Sequence, residues 1–186
     1  NEAELDLVLP SGLTGRGRVP LMVEVIKLLK KDIGGEAPVG SYVLGPFTLA
    51  GQIMELNDLL KLSFKKPDKI GKLLDQMADV IIQVAQEYQK AGVDFITVRE
   101  MGATSDVLSP RVFKSLILPY LKKIFEKITV PSVLMRSAAT ANNAPLGSNP
   151  SHTGAWLGAD YCDEYRVRTI MAALAMLAGG LISGKL

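Results

Sequence analysis

Stretches with helical periodicity alternate along this chain with short, almost wholly apolar runs, and that alternation restricts the available folds more than any other feature. Val19–Lys31 sets Met22, Val25, Ile26 and Leu29 on one helix face, with Pro20 in the first turn and Gly34-Gly35 past the end. Val39–Leu44 reads as a short buried strand, with Tyr42 expected in the core. Gly45-Pro46 breaks it, and a helical pattern resumes over Thr48–Leu62. Asp68–Ala91 repeats apolar residues from Ile70 to Tyr88 at the i, i+3, i+4, i+7 spacing and stops at Gly92. Asp94–Val98 is rich in β-branched and aromatic residues and reads as a second strand. After the loop Arg99–Leu108, Ser109-Pro110 supplies an N-cap and first-turn pair for a helix that Pro119 is expected to kink. Val130–Leu134 is the third strand. Helices between nearly all-apolar strands imply βαβ crossovers and a parallel sheet buried on both faces.

Composition narrows the function classes. Of 186 residues, 48% are apolar, 22% charged and 6% aromatic, with a formal net charge of +2. That is globular composition, unlike disordered, collagen-like or coiled-coil chains. The charge is too even to imply a nucleic-acid partner or an anionic membrane surface. The longest uncharged apolar run, Thr169–Ile182, falls short of the roughly 20 residues that cross a bilayer. One cysteine, Cys162, rules out an internal disulfide framework and suits a reducing, cytoplasmic setting. Gly12–Gly17 is not a phosphate loop, because no strand precedes it as required and no Lys-Ser/Thr follows.

Five segments in order carry a family resemblance. They are Gly45-Pro46-Phe47-Thr48-Leu49-Ala50 with Asn57-Asp58-Leu59-Leu60 after it, Ala91-Gly92-Val93-Asp94, Val107-Leu108-Ser109-Pro110, and Leu118-Pro119-Tyr120-Leu121. Together, over about residues 5–134, the chain resembles the uroporphyrinogen decarboxylase superfamily, and within it the branch of corrinoid-linked methyltransferases of the methylcobamide:coenzyme M type. The resemblance implies an α/β fold, a partial (β/α)8 TIM barrel of parallel strands. It also implies a zinc ion that binds and deprotonates the acceptor thiol, and a methyl donor on a corrinoid protein or methylcobalamin. The alternatives are a uroporphyrinogen decarboxylase-type enzyme of porphyrin biosynthesis, or a non-catalytic barrel fragment that self-associates through open sheet edges. About three strands in this length fall short of a full barrel, so the chain, which opens on Asn1, is read as truncated.

Active-site groups in such barrels sit on the βα loops. The resemblance therefore sets Gly45, Phe47 and Thr48 at the mouth as substrate-binding residues, with Glu100 and Asp106 as catalytic carboxylates. The plainer readings are a tight βα turn with a buried Phe, and acids that satisfy backbone N–H groups ahead of a helix. Ser105 reads as a turn residue. The family's His-x-Cys-Gly zinc pattern would fall where this chain has Met135, Arg136, Ser137 and Ala138. Methionine and serine do not replace imidazole and thiolate on zinc. His152 and Cys162 are the remaining candidate metal ligands, with Asp160, Asp163 and Glu164 nearby. The plainer reading of the pair is a surface His and a half-buried Cys. Residues 135–186 form a divergent tail, read as poorly ordered or out of frame. Ser137–Thr140 can be encoded as AGT-GCG-GCA-ACN, and the same bases read two positions later give Cys-Gly-Asn, the family's continuation.

Overall fold

The computed structural model describes residues 12–103 and 107–136. Helix α1 (Val19–Ile33) leads to strand β1 (Gly40–Leu44), followed by α2 (Pro46–Ile53), α3 (Leu56–Lys65) and the long α4 (Pro67–Ala91). Strand β2 (Phe95–Glu100) comes next, then α5 (Pro110–Val112), a π-helical turn (Phe113–Ile117), α6 (Leu118–Lys127) and β3 (Ser132–Arg136). The three strands lie in the order β1-β2-β3, and both pairings are parallel.

Local chemistry accounts for most boundaries. Pro46 and Pro67 stand in the first turns of α2 and α4, where a missing N–H goes unused. Gly92 closes α4 in the left-handed region at φ 99°, its N–H reaching Gln89 and Tyr88 carbonyls. Ser109 Oγ accepts the Val112 N–H and opens α5. Ahead of Pro119 the ladder widens into the π turn, since proline has no N–H for the carbonyl four residues back. The expected interruption at Pro119 takes that form.

The structure corrects three expectations. The pattern over Thr48–Leu62 is two helices, broken at Met54-Glu55, where the Glu55 carboxylate caps the Asn57 N–H at 2.7 Å. Of the four residues expected on the apolar face of α1, Ile26 is fully buried, whereas Val25 and Leu29 are exposed. Among the described residues, helices cover one face of the sheet and not the other. Val43, Ile96, Val98 and Leu134 join the helices in one core, while burial along β2 alternates residue by residue and Tyr42 is 52% exposed.

Chain geometry explains the one-sided sheet. Strand order 1-2-3 advances in one direction, and right-handed crossovers then put both connecting helical layers on the same side. Tyr42 was expected in the core as a mid-strand aromatic, but its place in the alternation points it to the other side. On that open face Phe95 lies across Gly40. A Cβ at Gly40 would collide with the ring, approaching Cε1 to 2.5 Å.

Candidate functional site

The C-terminal ends of β1 and β2 are joined through one carboxylate. Glu100 is the last residue of β2, not a loop residue, and it is fully buried on the helix side of the sheet. Its Oε2 accepts the Phe47 N–H at 3.0 Å, and its Oε1 accepts the Thr48 N–H at 3.0 Å and the Thr48 hydroxyl at 2.5 Å. The N-terminus of α2 has no cap from its own preceding side chain, so a residue 53 positions along the chain caps it. The helix dipole favours an anion at that spot. Thr48 Oγ1 also accepts the N–H groups of Met101 at 2.7 Å and Gly102 at 2.9 Å, which fixes the path of the chain leaving β2. The Gly45 N–H extends the β1–β2 ladder to the Arg99 carbonyl at 2.8 Å.

Burial pushes the Glu100 carboxyl above its ordinary pKa. The Thr48 hydroxyl and the N–H groups of Phe47, Thr48 and Gly102 pull the other way and only partly offset it. Gly45 is required by space. A Cβ there would meet Glu100 Oε2 and come within 2.8 Å of Glu100 Cβ and Cδ.

Gly45, Phe47, Thr48 and Glu100 are thus brought together, as the sequence reading expects, but the cluster points into the core. Phe47 is completely buried, so within the described residues it packs the turn and lines no open pocket. Asp106, Ser105, His152, Cys162 and the tail from 137 onward lie outside the described residues. What the sequence reading missed is Arg99, the residue before Glu100. Strand alternation turns its side chain to the open face, where the guanidinium carbon sits 5.0 Å from the centre of the Tyr42 ring. Period-2 counting carried one residue past Val98 would have found it.

The family model for uroporphyrinogen decarboxylase matches residues 2–145. The chain belongs to the uroporphyrinogen decarboxylase family. Among curated members, it is 32% identical over 127 residues to the methylcobamide:CoM methyltransferase MtaA of Methanosarcina barkeri strain Fusaro, covering 68% of this chain and 38% of the relative. A uroporphyrinogen decarboxylase of Syntrophotalea carbinolica is 24% identical over 170 residues, 88% of this chain and 49% of the relative. Among solved structures, a methyltransferase from Methanosarcina mazei superposes with a TM-score of 0.67 at 28% identity, over 70% of this chain and 39% of that one. The chain therefore spans less than half the length of these family members.

Zinc of the kind the methyltransferase resemblance implies takes three or four nitrogen, sulfur or oxygen ligands. Among the described residues no three His, Cys, Asp or Glu side chains are grouped to hold a metal. The carboxylate at the rim, Glu100, is sealed from solvent and already accepts three hydrogen bonds. The described part of the rim does not fit the ion. No helix among the described residues is long and apolar enough to cross a membrane.

Proposed function

We propose that the protein to which this chain belongs moves a methyl group from a methylcobamide to a thiol, and that β1–β3 with their helices form an arc of a (β/α)8 barrel. The supporting observation is that the relative 32% identical to this chain is a methylcobamide:CoM methyltransferase, and a structural neighbour at 28% identity is a methyltransferase. In the reaction the thiol sulfur forms a bond to the methyl carbon as the cobalt–carbon bond breaks. Cobalt keeps the electron pair, and the thiol proton passes to solvent. Thr48 and Glu100 hold the first two βα turns in register at the rim, and the face opposite the helices is the side turned to the barrel interior, whose C-terminal end meets the substrate. Glu100 acts as a positioning residue.

Decarboxylation of uroporphyrinogen is the second reading, supported by the uroporphyrinogen decarboxylases among the relatives. One experiment separates the two. The purified chain is given methylcobalamin with coenzyme M, or uroporphyrinogen alone, and loss of methylcobalamin absorbance or release of carbon dioxide is followed. Methyl transfer above the protein-free rate supports the first reading. Carbon dioxide release without transfer overturns it in favour of the second, and neither reaction leaves a non-catalytic piece of barrel.

A further inference from the structure

We infer that Arg99, stacked on Tyr42, is an oxyanion-binding residue on the open face of the sheet, taking the sulfonate or carboxylate head group of the substrate; this rests on the barrel-arc reading above. Residues alternate across β2, and the last two carry opposite charge to opposite sides. Glu100 goes to the α2 N-terminus, and Arg99 goes to the face no described helix covers. Cross-strand register sets Arg99 beside Leu44 and Met135, in the last layer of the face before the C-terminal rim. A cation there stands where barrel enzymes hold substrate.

Its surroundings leave it a charge to receive. The Arg99 Nε is buried without a hydrogen-bond partner, and no carboxylate among the described residues forms a salt bridge with the guanidinium. The guanidinium carbon lies over the Tyr42 ring, a cation–π contact that holds the side chain without neutralising its charge. With Nε enclosed, the terminal Nη1 and Nη2 are the donors left to an incoming ligand, and that pair matches two oxygens of a carboxylate, sulfonate or phosphate. A lysine would supply charge but neither the plane nor the paired donors.

The test measures binding of ethanesulfonate, propionate and uncharged ethanol to the full chain by calorimetry, in the wild type and in Arg99→Gln and Arg99→Lys. Methyl transfer from methylcobalamin to 2-mercaptoethanesulfonate and to 2-mercaptoethanol is assayed in parallel. The inference expects one or both anions to bind while ethanol does not, with affinity falling at least tenfold in Arg99→Gln and partly restored in Arg99→Lys. Preference between the two anions assigns the head group. Anion affinity unchanged in a folded Arg99→Gln overturns it, as does a folded wild type that binds neither anion. Arg99-dependent anion binding with no methyl transfer leaves this inference standing and removes the methyltransferase reading. Transfer to both thiols at equal efficiency in wild type and Arg99→Gln does the reverse.

Discussion

Gly45 has φ −75°, a backbone conformation any residue adopts, so alanine there would ordinarily stabilise slightly by restricting the unfolded chain. The collision with Glu100 reverses the sign, and Gly45→Ala is expected to lower stability by about 1–3 kcal/mol in urea denaturation. Glu100 makes a second prediction. Its raised pKa means the folded state holds the proton more firmly than the unfolded chain. The associated stability is therefore present below the ordinary glutamate pKa and lost as pH rises through the higher folded value. In Glu100→Gln this slope should vanish, and the amide should leave a buried N–H facing another N–H, at a loss of about 1–3 kcal/mol. Asp94 works in the opposite sense. Burial raises its pKa, but hydrogen bonds from Lys30 and the Val39 N–H, with the Lys30 charge, outweigh this and hold it below its ordinary value. Its contribution is lost as pH falls below the usual carboxylate range. Denaturation midpoints against pH for wild type, Glu100→Gln and Asp94→Asn check both signs.

Elements were legible where their signal is local. The α4 stripe and its stop signal at Gly92 are local to the helix, so the expected start, Asp68, falls one residue after the observed Pro67, and the expected and observed helices both end at Ala91. Because Gly92 sits at φ 99°, Gly92→Ala is expected to destabilise by about 1–2 kcal/mol, read as a lowered Tm. Less was legible where the decisive partner is distant or unusual. Glutamate is not a preferred N-cap, so Glu55 gave no sign that it starts α3. The cap of α2 comes from Glu100 on another strand. Strand β2 was expected to end at Val98, with a loop from Arg99; the observed strand runs on to Glu100. It continues because α2 satisfies one charge and Tyr42 stacks on the other. Strand β3 was displaced by two residues for a related reason, since Met135 and Arg136 read as a change of texture.

Across the described molecule, the parallel order of strands and the meeting of the Gly45 turn with Glu100 were readable from periodicity and family motifs. The open face was not. Apolar strands suggested two covered faces, and only the one-way strand order with right-handed crossovers shows why one stays bare. The two ends of the sheet carry different contacts. At the N-terminal end of the strands Lys30 bridges α1 to Asp94 at 2.8 Å, while the C-terminal end carries Thr48, Arg99 and Glu100. The one-sided sheet is tested most directly by thiol labelling of Tyr42→Cys and Val43→Cys in a Cys162→Ser background. These neighbours are 52% and 5% exposed. Labelling at 42 should run near the rate of an unfolded control, with 43 slower by orders of magnitude until urea unfolds the chain. Equal protection at both positions, or faster reaction at 43, would contradict a sheet with one bare face.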